Sequence, residues 1–264
     1  MDALVSGDWL AAHLDEVRVV DVRWYLRRPG DGRAAYAAGH IPGAVHLDVD
    51  DDLSDPASPV AGRHPLPAPE RFAAALGRAG IAAGTAVVGY DDAGGSIAAR
   101  LWWLLHVLGE PVAVLDGGLA AWPGPLTAQP PRVAPVDRAP VPWPARRFRS
   151  ADELDGARLL DARTAARYAH GDPAIDPRPG HIPGAHSAPW QDNLDADGRF
   201  RAPEELRERY GDGPFVAYCG SGVTACHDLL ALHVAGISDI ALYPGSWSQW
   251  AADPSRPAQV TTQT

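Results

Sequence analysis

The hexapeptide GHIPGA occupies residues 39–44 and recurs at residues 180–185 of this 264-residue chain. Three further pairs of segments match in the same order around the two copies: VVDVR (19–23) with LLDAR (159–163), AVVGY (86–90) with FVAY (215–218), and LDGG (115–118) with YPGS (243–246). Self-similarity on this scale indicates two copies of one structural unit. We therefore predict a first domain at residues 1–125 and a second domain at residues 147–264.

The residues between the copies, 126–146, are rich in proline and show no periodic pattern. Because proline fixes φ and stiffens an extended chain, we expect a semi-rigid linker. The first copy also contains extra residues between its GHIPGA motif and its central apolar segment, in the stretch 48–69. The second copy has no counterpart of this stretch.

Short apolar segments alternate with helical patterns in both copies. The apolar segments predict buried strands at 17–22, 86–90, 112–115, 159–162, 215–218 and 240–243. The helical patterns predict helices at 70–79, 97–108, 203–210 and 223–235. This alternation is typical of an α/β fold, in which each domain is a parallel sheet with helices on both faces. Ligands of such sheets bind at the carboxyl ends of the strands.

The composition excludes several classes of function. The net charge is −10, which disfavours general binding to nucleic acid or to an anionic membrane. All 23 basic residues are arginine, so the chain lacks the lysine of a Schiff base and of a Walker phosphate loop. Two cysteines exclude a four-cysteine zinc site, and ten histidines without a spaced cluster predict no metal. We expect no organic cofactor.

The beginning of the chain carries acidic residues and no basic residue ahead of an apolar segment, which predicts no signal peptide. The apolar stretch 101–108 is too short to cross a bilayer. We predict a cytoplasmic protein, and an exported protein that has lost its leader is the alternative.

A duplicated chain permits an internal comparison, since features present in both copies are expected to serve the fold. His40 and His181 are shared and are interpreted as hydrogen-bonded scaffold residues. The copies differ after the central strand, where aligning Tyr90 with Tyr218 places Asp91 opposite Cys219. The first domain is therefore predicted to be catalytically silent and the second to be catalytic.

Cys219 is the candidate nucleophile. It stands where a strand ends and a glycine-containing loop, Gly220-Ser221-Gly222, leads into a helix. Backbone N–H groups of such a loop and the positive end of the helix stabilise an anion, so we expect a thiolate with a depressed pKa. The loop favours an accessible, reactive thiol over a buried structural cysteine, whereas Cys226 is interpreted as a small core residue.

Two thiolate chemistries use a loop of this kind. Tyrosine-type phosphatases have arginine six residues after the cysteine, and this chain has Ala225 there, which argues against phosphate ester hydrolysis. The other chemistry is sulfur transfer through a persulfide. Over nearly its whole length the sequence resembles tandem-domain rhodanese-type sulfurtransferases. The hexapeptide Cys219-Gly220-Ser221-Gly222-Val223-Thr224 is similar at all six positions to the branch that uses 3-mercaptopyruvate. The resemblance implies that Gly220, Gly222, Val223 and Thr224 contribute to substrate binding.

The resemblance also implies a proton relay made of Ser221, His64 and Asp50. Both His64 and Asp50 lie in the extra stretch of the first copy, which we expect to reach across the domain interface. The alternative for Asp50 is a solvated acid in a run of aspartates, and the residues alone favour it.

Arginine binds a carboxylate through a two-pronged guanidinium. The resemblance assigns Arg167 to the substrate carboxylate, whereas a second family arginine has no clean match and Arg178 is a possible substitute. Arg163 matches Arg23 in the first copy and is interpreted as structural.

The activity implied by the resemblance is transfer of a sulfane sulfur from 3-mercaptopyruvate, through a Cys219 persulfide, to an acceptor such as a thiol, thioredoxin or cyanide. Two alternatives remain: a thiosulfate sulfurtransferase, and a non-catalytic persulfide carrier. The loop residues between Cys219 and Thr224 carry no cation, which favours a monoanionic donor over the thiosulfate dianion.

Overall fold

The computed structural model describes residues 1–261, which divide into two compact units. The first unit comprises Met1–Asp55, Pro67–Trp143 and Ala196–Arg199. The second comprises Pro56–Leu66, Pro144–Asp195 and the chain from Phe200 onward. The segment Pro56–Leu66, which lies in the extra stretch of the first copy, thus packs with the second unit.

The first unit is built on a five-stranded sheet in which every pairing is parallel, in the order β1-β5-β4-β2-β3. Its strands are β1 (Leu4–Val5), β2 (Arg18–Asp21), β3 (Val45–His46), β4 (Val87–Tyr90) and β5 (Val112–Leu115). Its helices are α1 (Gly7–Ala12), α2 (Asp31–Ala38), α3 (Pro69–Arg78) and α4 (Ala98–His106). β4 and β5 are wholly buried, as expected of central parallel strands.

The second unit repeats this plan with a four-stranded parallel sheet in the order β7-β6-β8-β9. Its strands are β6 (Leu159–Asp161), β7 (His186–Ser187), β8 (Phe215–Tyr218) and β9 (Ile240–Leu242). Its helices are α5 (Ala165–His170), α6 (Pro203–Tyr210), α7 (Ala225–Val234) and α8 (Ser246–Trp250). The predicted α/β fold class is confirmed, and no helix within residues 1–261 has the length and apolar character of a membrane span.

The residues shared by the two copies form equivalent scaffold contacts. Arg23 donates to Asp21 and to the carbonyl of Gly39, and Arg163 donates in the same way to Asp161 and to the carbonyl of Gly180. His40 and His181 are buried and hydrogen-bonded to backbone carbonyls. The structural interpretation of Arg163 and of both histidines is therefore confirmed.

The proline-rich segment follows the first unit as an extended chain. Thr127 and His40 exchange two backbone hydrogen bonds of 2.9 Å, and Val136 N–H donates to the Gly77 carbonyl at 3.0 Å. The Trp143 indole donates to the Pro67 carbonyl at 2.8 Å. An extended chain with few internal hydrogen bonds leaves its N–H and C=O groups available for such contacts. The segment therefore belongs to the first unit as far as Trp143, and Pro144 begins the next part of the second unit. The domain boundaries at 125 and 147 stay a prediction.

Candidate active site

Cys219 is the first residue beyond the carboxyl end of β8, and the loop it begins is fastened to the start of α8. The Cys219 N–H donates to Ser246 Oγ at 3.2 Å, while Trp247 N–H donates to the Cys219 carbonyl at 2.9 Å. Gly222 has a φ of +79°, and a Cβ there would lie 2.6 Å from the Pro244 carbonyl oxygen. Glycine is thus required for the loop to close against the chain before α8.

The thiol of Cys219 lies in a small cradle of backbone donors. Its Sγ accepts hydrogen bonds from the N–H groups of Gly222 at 3.1 Å and Ser221 at 3.5 Å. No other residue among 1–261 donates a hydrogen bond to this sulfur. Gly220, Val223 and Thr224 therefore do not contribute donors to the cradle. Two backbone donors aimed at one sulfur form the kind of concavity that binds anions.

Burial of the cysteines corrects one expectation. The loop was expected to leave Cys219 accessible, but the residue is only 1% exposed. The reason is that the donors must surround the sulfur and the backbone of α8 then covers the loop from one side. Cys226 is also buried, and its thiol donates to the Gly222 carbonyl at 3.4 Å, so it packs beneath the loop as a small core residue.

Ser221 and His64 are brought together. His64 Nδ1 and Ser221 Oγ share a hydrogen bond of 2.7 Å, and both side chains are buried. Pro56–Leu66, which contains His64, is part of the second unit, so this contact lies wholly within that unit. The sequence predicted both residues, although it placed His64 in the first domain.

Asp50 belongs to the first unit, where its carboxylate accepts a hydrogen bond from the Trp24 indole at 2.8 Å. The relay from Asp50 to His64 stays a prediction.

Arg167 lies on α5, with its guanidinium next to the Cys219 loop. A Cβ at Gly220 would lie 2.8 Å from Arg167 Nη2. The same guanidinium donates to Asp176 through Nε at 3.1 Å and Nη2 at 2.5 Å. Arg167 is therefore oriented by a buried carboxylate, while its own side chain is 22% exposed.

Arg63 is a site residue that the sequence analysis missed. Its Nη2 would lie 3.0 Å from a Cβ at Gly220, so two guanidiniums face the loop. Its backbone N–H donates to Ser248 Oγ at 3.0 Å, and its Nη1 donates to the Ile175 carbonyl at 3.0 Å. Its position directly before His64 gives no signal, because adjacent side chains of an extended chain point to opposite sides, and its approach to Gly220 depends on contacts with Ser248 and Ile175.

Arg178 is not brought to the loop. Its Nη2 donates to the backbone carbonyls of Arg256, Asp253 and Trp250, at 2.6, 3.4 and 3.5 Å. Its guanidinium also lies 5.8 Å from the centre of the Trp247 ring. These contacts give Arg178 a structural task, fastening the chain that follows α8.

The corresponding loop of the first unit holds a carboxylate instead of a thiol. Asp91 is fully buried and accepts four backbone N–H groups, all at 2.8 Å, from Ala93, Gly95, Ile97 and Ala98. Burial raises the pKa of Asp91, and these donors oppose that shift because they favour the carboxylate. The loop of this fold is thus able to bind an anion, and in the first unit the protein supplies that anion itself.

Comparison with known proteins agrees with this architecture. The model of the family described as the rhodanese-like domain matches residues 6–124 and 146–253. A Pseudomonas aeruginosa protein named as a 3-mercaptopyruvate sulfurtransferase is 43% identical, over 96% of this chain and 96% of its own. A Mycobacterium tuberculosis protein named as a thiosulfate sulfurtransferase is 40% identical, over 92% of this chain and 90% of its own.

Among solved structures, the 3-mercaptopyruvate sulfurtransferase from Leishmania major is similar, with a TM-score of 0.83 and 32% identity. The match covers 95% of this chain and 74% of that protein. The chain therefore belongs to the rhodanese-like family and is one of its two-domain sulfurtransferases.

Proposed function

We propose that this sulfurtransferase takes its sulfur from 3-mercaptopyruvate and carries it as a persulfide on Cys219. The observation that carries the proposal is the arrangement around the Cys219 sulfur. Two backbone N–H groups point at Sγ, and two guanidiniums face the adjoining Gly220. Such a site stabilises a sulfur anion and accepts an anionic donor beside it.

The first half-reaction follows from this geometry. The Cys219 thiolate attacks the sulfur of the donor, an S–S bond forms, and the bond between that sulfur and C3 breaks. The electron pair of the broken bond passes into the enolate of pyruvate, which takes up a proton and leaves. The persulfide on Cys219 keeps the transferred sulfur.

Ser221 and His64 are proposed to manage the protons of this step. A hydroxyl bonded to an imidazole at 2.7 Å can pass a proton to or from a group near the loop. Asp50 is proposed as the third member, which would orient His64 and stabilise its protonated form.

In the second half-reaction an acceptor nucleophile attacks the outer sulfur and restores the Cys219 thiolate. A small thiol, a reduced thioredoxin or cyanide can act in this way. No organic cofactor is needed, since the thiolate supplies the nucleophile. The cytoplasmic location stays a prediction.

Thiosulfate as the donor is the second candidate, and one observation favours it. The argument that the loop residues lack a cation is incomplete, because Arg63 and Arg167 bring guanidiniums to Gly220 from other segments. One relative with 40% identity is also named as a thiosulfate sulfurtransferase. The sequence of the loop is therefore a weaker guide to the donor than its surroundings.

The ratio of kcat/KM for the two donors tests the proposal. We expect steady-state release of pyruvate from 3-mercaptopyruvate, with a kcat/KM above that for release of sulfite from thiosulfate. The reverse order would establish the second candidate. Absence of turnover with either donor would indicate a persulfide carrier.

A further inference from the structure

We infer that Arg63 is a substrate-binding residue that, together with Arg167, holds the carboxylate of the donor in front of Gly220. This inference rests on the proposed function, since it names the group that binds the 2-oxo acid. It gives Arg63 the task that the sequence analysis considered for Arg178.

The guanidiniums of Arg63 and Arg167 lie beside the same residue of the loop. Nη2 of Arg63 and Nη2 of Arg167 would lie 3.0 and 2.8 Å from a Cβ on Gly220. The two groups thus converge on the space that glycine leaves open, one residue after the nucleophile. An oxygen just beyond that position could accept from both guanidiniums, whereas a side chain at residue 220 would fill it.

The Arg63 side chain is held in place by contacts within the second unit. The Arg63 backbone is tied to Ser248 Oγ, and its Nη1 is held by the Ile175 carbonyl, each at 3.0 Å. Arg63 Nε is buried and has no hydrogen-bond partner among the described residues. The guanidinium is therefore held at one corner, with Nη2 directed at the loop, as a preorganised binding group requires.

Arg63 differs from the neighbouring arginines in its ion pairs. Arg163 is paired with Asp161 at 2.6 Å and Arg167 with Asp176 at 2.5 Å. Across residues 1–261, no carboxylate lies within ion-pairing distance of Arg63. Arg63 is thus the guanidinium beside Gly220 that has no carboxylate partner among the described residues, which leaves it able to pair with the carboxylate of a 2-oxo acid.

Electrostatics support this assignment. Burial lowers the pKa of the Arg63 guanidinium; the Cys219 sulfur acts against that shift, and the neighbouring Arg167 adds to it. A partly desolvated cation beside a second cation gains stability when an anion binds between them.

Alkylation of Cys219 by two matched reagents tests the inference. Iodoacetate carries a carboxylate and iodoacetamide is its neutral counterpart, so the ratio of their rates reports on binding of the carboxylate. We expect Arg63→Gln to lower this ratio about 10- to 100-fold, the loss expected for one charge-assisted hydrogen bond. The ratio for Arg63→Lys should lie between those of the wild type and Arg63→Gln, because lysine keeps the charge but lacks the planar guanidinium.

The control is Arg207→Gln, which removes an exposed arginine of α6 that pairs with Asp212. It should leave the ratio unchanged, and peptide mass spectrometry should locate the label on Cys219 in every variant. If Arg63→Gln slows both reagents equally or leaves the ratio as in the wild type, Arg63 does not bind the carboxylate and the inference is wrong.

With 3-mercaptopyruvate itself, Arg63→Gln should raise KM by a similar factor and change kcat little. A wild type that turns over thiosulfate and releases no pyruvate would refute the proposed function. The alkylation ratio would still decide whether Arg63 binds a carboxylate, so the two failures are distinguishable.

Discussion

The loops after β4 and β8 have the same place in the fold and opposite uses. In the first unit the Asp91 carboxylate occupies the loop and accepts four N–H groups, at positions two, four, six and seven residues further on. In the second unit Cys219 Sγ accepts two, at positions two and three residues further on.

The scaffold around the loops does not explain this difference, because the Asp21–Arg23 and Asp161–Arg163 pairs are equivalent. The comparison teaches that the loop is an anion site by construction. The Asp91 carboxylate accepts four N–H groups of its loop, whereas the Cys219 thiol accepts two.

The largest effect is expected at the sulfur. Cys219→Ser should lower sulfur transfer by more than about 10³-fold, because the hydroxyl is a far weaker nucleophile at neutral pH. Cys226→Ser should retain most of the activity, since its thiol packs against the Gly222 carbonyl. Steady-state release of pyruvate measures both.

A double variant tests whether a cysteine in the first loop can replace Cys219. Asp91→Cys in the Cys219→Ser background should stay inactive, because the first loop lacks counterparts of Ser221 and His64. Recovered turnover would mean that the loop alone suffices.

The shape of the second loop gives the next effect. Gly222→Ala should lower kcat/KM about 10- to 100-fold, since the new Cβ would meet the Pro244 carbonyl and turn an N–H donor away from the sulfur. Gly30→Ala is the control: it also has a positive φ, of +81°, in the left-handed region, but an added Cβ meets nothing within 4 Å. It should share only the backbone cost of about 1–2 kcal/mol in the free energy of unfolding. Equal kinetics for both variants would contradict the role of the cradle.

The carboxylate of the first loop should matter for stability. Asp91→Ala leaves four N–H groups, three of them in buried hydrogen bonds, without their acceptor and should reduce the free energy of unfolding by about 2–4 kcal/mol. Asp92→Ala, which removes an exposed hydrogen bond to Tyr25, should cost less than about 1 kcal/mol. Urea denaturation measures both, and a loss no greater for Asp91→Ala than for Asp92→Ala would show that the first loop does not depend on its anion.

A buried carboxyl of the second unit, Asp228, should make the stability of the protein depend on pH. Asp228 on α7 accepts from Asn193 at 2.8 Å and Tyr210 at 3.1 Å, but its Oδ2 has no hydrogen-bond partner among the described residues. Burial raises the pKa of Asp228 to about 7. Burial raises the pKa of Asp91 as well, but Asp91 accepts four backbone N–H groups, whereas Asp228 accepts from two side chains.

The sign of the pH effect follows from this shift. A carboxyl whose pKa is higher in the folded than in the unfolded chain stabilises the fold below about pH 4, and this contribution is lost as the pH rises through about 7. As the pH rises over this range, the free energy of unfolding of the wild type should thus fall by roughly 2–4 kcal/mol relative to that of Asp228→Asn. Parallel stability curves for the two proteins would contradict the assignment.

Much of this molecule could be predicted from the repeat. Segments with strong patterns, such as Phe215–Tyr218 and Pro203–Tyr210, have the predicted type because burial decides them. The two-residue strands Leu4–Val5 and Val45–His46 are too short to carry a periodic signal.

The site was predictable where chemistry is local and not where folding brings segments together. Cys219, Ser221 and His64 follow from the loop and the family resemblance. The place of Arg63 depends on contacts with Ser248 and Ile175, which are remote in sequence. The burial of Cys219 was also missed, since a glycine-containing loop does not reveal what packs over it.

The central claim is that the second loop carries sulfur on Cys219 while the first loop carries none. Treating the wild type with 3-mercaptopyruvate without an acceptor and mapping its peptides by mass spectrometry tests this directly. We predict one added sulfur, about 32 Da, on the peptide that contains Cys219, and its removal when a thiol acceptor is added. Added sulfur on Cys226 with Cys219 unmodified, or no added sulfur while pyruvate is released, would contradict the account.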